Sequence, residues 1–90
     1  MKKITLKEFW SSNENLAIHC KTEEETNELL KAFDKMGQRW VNGQSYIGIN
    51  HWEEEKENTC YSNDNRMSYF KWYKSHDYKI YEFDEVNLEA

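Results

Sequence analysis

The chain of 90 residues contains no proline, and glycine occurs only at Gly37, Gly43 and Gly48. Without proline there is no stiff extended spacer, and nothing in the composition marks a linker or a domain boundary. Three isolated glycines do not build a loop that cradles phosphates, which argues against a nucleoside-triphosphate enzyme. Cysteine is limited to Cys20 and Cys60, in keeping with reduced thiols rather than the disulfide framework of a small secreted domain. No apolar run approaches membrane-spanning length. The basic start Met1-Lys2-Lys3 is followed by Lys7, Glu8, Ser11 and Ser12 rather than the apolar core of a secretory signal. These absences predict an intracellular protein, resident in the cytoplasm.

Cationic charge is also scarce, with 12 Lys and Arg against 17 Asp and Glu for a formal net charge of -5. Such a chain is repelled by phosphate backbones and anionic lipid headgroups, so neither general nucleic-acid binding nor a membrane partner is expected. A protein with a basic surface would attract it. The carboxylates fall in short runs: Glu23, Glu24 and Glu25; Glu53, Glu54 and Glu55; and the segment 82–85.

What the chain has in quantity is aromatic side chains, four Trp, six Tyr and four Phe, which supply large apolar areas from few positions despite a mean hydropathy of -1.10. At this length one hydrophobic core is all that can form, so residues 1–90 are expected to be a single domain.

Thr5 and Glu8 have the spacing of a capping box ahead of Leu6, Phe9 and Trp10, which predicts one short helical turn. The alternation of Leu16, Ile18 and Cys20 with Ala17 and His19 predicts a first strand. Thr22 followed by three glutamates is the clearest helix start in the chain, since a hydroxyl caps the free amides and the acidic residues face the positive helix end. Leu29, Leu30, Phe33 and Met36 then share a face and Gly37 supplies the stop, so the only long helix is placed at 22–36. Asn42-Gly43 between 39–41 and 44–46 predicts a type I′ hairpin. The polar segment 48–58 around Trp52 reads as a loop or a single helical turn. The stretch 62–65 is turn chemistry between strands at 59–61 and 67–72, and a last strand near a sheet edge is expected at 78–83. The predicted fold is α+β, one main helix on one face of an antiparallel sheet of about four to five strands, in the order β-α-β-β-β-β.

His19, His51, His76, Cys20 and Cys60 are the candidate soft-metal ligands, and none forms a close Cys-x-x-Cys or His-x-x-x-His pair. Adjacent strand residues point to opposite faces, which allows only one of His19 and Cys20 to join a site. The candidate zinc set is therefore Cys20, His51 and Cys60, with a structural rather than catalytic role. No nucleophile stands beside a base oriented by a third group, so no enzymatic activity is expected. The aromatic series near the end of the chain is too dense for one sheet face, and Tyr69, Tyr73, Tyr78 and Tyr81 are the candidate partner-binding rings, with Glu53, Glu54 and Glu55 as a candidate acidic contact. Trp40, Trp52 and Trp72 are assigned to core and rim packing.

The segments 16–20, 22–33 and 40–46, the pattern Trp52 followed by Lys56-Glu57-Asn58-Thr59-Cys60-Tyr61, and the closing Tyr78-Lys79-Ile80-Tyr81-Glu82-Phe83 resemble a family of small accessory proteins carried by phages and prophages of Gram-positive bacteria. The resemblance covers most of the chain and brings no catalytic residue with it. It implies an anti-defence role in the host cytoplasm. Its most concrete form is an anti-CRISPR protein that binds a type II CRISPR nuclease and hinders guide or target-DNA engagement. Two other expectations stand beside it. One is a protein that sequesters an immune signalling nucleotide between aromatic rings, with Arg39, Arg66 and Lys71 as cationic donors. The other is a zinc-stapled structural interaction module.

Overall fold

The computed structural model describes residues 3–48 and 50–88; Met1 and Lys2 of the basic start, Ile49 of the loop expected at 48–58, and Glu89 and Ala90 lie outside the described residues. The chain forms β1 (Ile4–Thr5), α1 (Leu6–Ser11), β2 (Leu16–His19), α2 (Glu23–Lys35), α3 (Trp52–Glu55), β3 (Thr59–Ser62), β4 (Met67–Tyr69), α4 (Phe70–Ser75), β5 (Lys79–Glu82) and β6 (Val86–Asn87), with single 3-10 turns at Lys56–Asn58 and Phe83–Glu85.

Local chemistry starts the first two helices where the sequence places them. Thr5 accepts from the Glu8 amide at 3.1 Å and Glu8 accepts from the Thr5 amide at 3.0 Å, a reciprocal cap that satisfies two otherwise free donors. Thr22 caps α2 through the Glu25 amide at 3.1 Å, and the Glu25 carboxylate reaches back to the Lys21 amide at 2.9 Å. Thr26, Leu29, Leu30 and Phe33 form the buried stripe of α2. Gly37, at φ 79°, ends it. Met36 does not extend the stripe: it lies past the last helical turn and is exposed.

The four-stranded sheet has the order β4-β3-β2-β5. It is mixed rather than antiparallel: β3 runs antiparallel to β2 and β4, while β5 runs parallel to β2, with Ala17 opposite Ile80 and Ile18 opposite Tyr81. The departure from the expected antiparallel sheet has a topological cause. β4 and β5 point the same way, so a tight hairpin cannot join them and the chain must cross the sheet. α4 makes that crossing. The strand expected at 67–72 therefore ends at Tyr69, and the side-chain period changes from two to that of a helix. A further pair, β1 with β6, is parallel and sets Ile4 opposite Val86.

The sheet is covered on both faces. Leu16, Ile18, Cys20 and Tyr61 pack with Leu6, Phe9, Leu29 and Phe33 of α1 and α2, whereas Ala17, Cys60 and Tyr73 form a second cluster beneath α4. This division is the pleat of the strands made visible, successive residues going to opposite faces. In the main cluster Phe33 stacks on Phe9 at 5.8 Å and meets Trp10 and Tyr46 edge-on at 4.8 and 5.3 Å.

Around Asn42-Gly43 the chain does turn, with the Gly43 amide on the Trp40 carbonyl at 2.7 Å, but only a single bridge, Arg39 to Ser45, joins the arms. Gly43 has φ 88° while Asn42 is not among the positive-φ residues, so the turn is not type I′. Both arms are drawn inward instead: Trp40 and Tyr46 are buried, their rings 4.5 Å apart. The β3–β4 turn braces this loop, Asn65 donating to the Arg39 carbonyl and to the Tyr46 hydroxyl, while Asn63 ties the approach to β2 through Leu16, Phe9 and Glu14.

Burial gives the core a pH signature. Desolvation pushes the Cys20 thiol up from its ordinary 9.0 to about 12 and the Tyr46 phenol from 10.0 to about 12, and it raises Tyr61, Tyr73 and Cys60 as well. These groups hold their protons in the folded chain and lose them sooner in the unfolded one. Their contribution to stability is therefore complete below the unfolded values near 9 and 10 and is lost as pH rises toward 12. The urea midpoint is expected to fall steadily across that alkaline window. A midpoint that stays level there would show that the buried thiols and phenols ionise as freely as exposed ones.

Candidate functional site

Three segments meet at one end of the four-stranded sheet. β2 ends at His19, which lies opposite Cys60 near the start of β3 and opposite Glu82 at the end of β5. From here β2 runs through Lys21 into the acidic first turn of α2, β3 is entered from the turn containing Glu57, and β5 leaves into Phe83–Glu85. Strand register thus brings Glu23, Glu24, Glu25, Glu57, Glu82, Asp84 and Glu85 to the same end, although they are scattered along the sequence.

His19 is the fastening. Its Nδ1 lies 2.9 and 3.1 Å from the two Glu82 carboxylate oxygens, its Nε2 lies 2.7 Å from the Glu57 carbonyl, and its ring rests 5.0 Å from that of Phe70. Lys21 adds a 3.7 Å contact to Glu82. Asn50 donates to Glu23 at 3.1 Å and to Asn27 at 2.8 Å, which ties the approach to α3 onto α2. Glu24, Glu57 and Asp84 remain exposed, and among the described residues no ion pair neutralises them. Tyr69, opposite Thr59 on the edge strand β4, stands at this same end with 42% of its surface exposed. The site therefore joins a concentrated negative field to one projecting aromatic ring, the two ingredients of a charged rim and a short-range anchor.

The other expected rings do not join it. Tyr73 is corrected to a core residue: α4 turns it onto the sheet, where it is wholly buried with its hydroxyl 2.8 Å from that of Ser62. Tyr78 sits at the far end of β5, half-buried, and donates to Asp64 at 2.7 Å. Tyr81 packs against the α1 and α2 face under the Lys79 ammonium, 5.3 Å from the ring. Glu53 and Glu54 are exposed on α3 and Glu55 is half-buried; Glu53 pairs with Lys56 at 3.5 Å and Glu54 with His51.

The zinc candidates are placed apart by the same pleat. Cys20 belongs to the α2-side cluster and Cys60 to the α4-side cluster, while His51 lies edge-on to Trp40 at 5.0 Å and is engaged by Glu54. Among the described residues no group of three or more His, Cys, Asp or Glu is arranged to hold a metal ion.

An open cleft of about 450 Å³ runs beside His51 and Glu54, with Trp40, Val41, Arg66 and Met67 on its walls. Of the cations suited to a nucleotide, Arg66 lines this cleft, Arg39 is held by Asp34 at 3.3 Å, and Lys71 lies on α4. Among the described residues no helix is long and apolar enough to cross a membrane.

Sequence reasoning found the acidic runs and Tyr69 but not their meeting, because that depends on β5 lying parallel to β2. Nor did it find His19 as the fastening. A histidine on a half-buried strand, with carboxylates in the closing segment, was the signal present. Comparison with protein-family models, with curated proteins and with solved structures finds no match for the chain.

Proposed function

We propose that this protein acts by binding, docking its acidic sheet end onto a basic surface of a partner protein, with Tyr69 as the aromatic contact. The observation that carries the reading is the gathering of Glu24, Glu57 and Asp84, exposed and without ion pairs among the described residues, around the His19 fastening. Carboxylates fixed at one end of a small molecule act together at long range, steering approach to a cationic groove. The ring then supplies contact energy once water is excluded.

The resemblance to phage accessory proteins gives the partner its most concrete form, a type II CRISPR nuclease whose nucleic-acid channel is basic. In that setting the acidic end occupies surface that guide or target DNA would otherwise use, and inhibition follows from competition without any reaction. Pull-down with the purified nuclease, with and without guide RNA, tests this. A complex is expected with the guide-free nuclease and a weaker one when RNA fills the channel. Absence of a complex in both states would remove this partner.

A further inference from the structure

On one side the four-stranded sheet ends at β4, and the hydrogen-bond parity of that strand decides what its outer edge offers. The Ser62 amide donates to the Arg66 carbonyl at 3.0 Å, so that carbonyl faces β3 and the residues that follow alternate from there. Ser68 turns its backbone groups toward Cys60, its partner in register. Met67 and Tyr69 turn theirs outward. The Tyr69 carbonyl is taken by α4, of which Tyr69 is the N-cap, and this leaves the Met67 N–H and C=O and the Tyr69 N–H directed away from the sheet. The adjoining loop meets the chain just ahead of them, where the Val41 amide donates to the Asn65 carbonyl at 3.0 Å. Among the described residues no group bonds the outward set.

The two ends of this edge differ in character. At its start lies the cleft of about 450 Å³, where Trp40, Val41 and Met67 supply apolar wall and Val41 is 66% exposed. At its other end stand Tyr69 and the acidic group that includes the exposed Glu57. Met67 and Tyr69 are two residues apart in a strand, so their side chains share one face. The strand is short, but neither proline nor charge at Met67, Ser68 or Tyr69 opposes the approach of another strand.

We infer that an extended basic segment of a partner protein adds to β4 as a further strand, with an apolar side chain at the cleft and, two residues along, a lysine or arginine beside Tyr69 and the acidic end. Open backbone donors and acceptors call for another backbone. Main-chain pairing then supplies affinity, and alternate side chains supply selectivity. The choice of a basic residue rests on the reading of the acidic end proposed above, whose carboxylates complement it. A second copy of this chain fits the edge less well, since each would bring a net charge of -5.

The probe is a labelled pentapeptide with valine at its centre, lysine at both ends and threonine between, which presents the same side chains in either strand direction. Its control keeps those side chains but has N-methylated backbone amides. In the free chain, amide exchange followed by NMR is expected to be fast at Met67 and Tyr69 and slow at Ser68. The plain peptide is expected to bind at concentrations on the order of 1 mM and to slow the two fast amides, and the N-methylated one to bind at least about tenfold more weakly, as the loss of two hydrogen bonds implies. The folded Glu24→Lys, Glu57→Lys, Asp84→Lys variant is expected to bind the plain peptide about threefold or more weakly. Equal binding of the two peptides, or a free chain that is dimeric with both amides already protected, would overturn strand addition and leave the acidic-end reading standing. Undiminished binding of the plain peptide by the variant would overturn the acidic-end reading and with it the basic segment. Failure of both peptides to bind would also overturn the inference, with the nuclease pull-down reporting separately on the acidic end.

Discussion

Phe33→Ala is expected to remove most of the stability of this fold. Its ring is fully buried on α2 and touches Phe9, Trp10 and Tyr46, so the residue joins α1, α2 and the loop carrying Trp40. Truncating a buried phenylalanine costs about 3–5 kcal/mol, because transfer energy is lost and the cavity closes only partly. Domains are stabilised by about 0.05–0.15 kcal/mol per residue, which for a chain of this size makes such a loss a large share of the whole. Relaxation would be hard here, since the neighbouring rings are held by two capped helices and by the Asn65 hydrogen bonds. The melting temperature is expected to fall by about 15 °C or more. A fall of only a few degrees, followed by circular dichroism, would show that the aromatic cluster is not the centre of the core.

The elements legible in the sequence are those whose cause is local. Thr5 with Glu8 and Thr22 with Glu25 state their helices within four residues, and the polar stretch after Ser62 states the turn between β3 and β4. The α+β class follows from those pieces. What escaped reading was decided by tertiary geometry. The segment Phe70–Ser75 has the aromatic composition of a strand, but the parallel course of β4 and β5 requires a crossing element and makes it helical. That one change buried Tyr73 and covered the second face of the sheet. Likewise Asn42-Gly43 bears the signature of a hairpin, yet burial of Trp40 and Tyr46 draws both arms out of strand pairing. The separation of Cys20 from Cys60 onto opposite faces was in principle readable from strand parity, had the register of β3 against β2 been known.

The second large effect concerns the acidic end. Glu24, Glu57 and Asp84 come from three different segments, are exposed, and have side chains outside the hydrogen bonds that fasten His19, Lys21 and Glu82. Replacing all three by lysine therefore leaves the fastening intact. The largest structural cost is at Glu24, where a cation in the first turn of α2 opposes the helix dipole by about 0.3–1 kcal/mol. At a basic partner surface the same substitutions turn attraction into repulsion. Juxtaposed like charges cost enough to lower affinity by at least about tenfold, mainly through slower association, and added salt should narrow the difference by screening it.

The direct measurement is the dissociation constant of the native chain and of the folded Glu24→Lys, Glu57→Lys, Asp84→Lys variant for guide-free nuclease, at low and at physiological ionic strength. Measurable affinity for the native chain, weakened by salt and largely lost in the variant, is the expected result; equal affinity of the two proteins at both ionic strengths would contradict it.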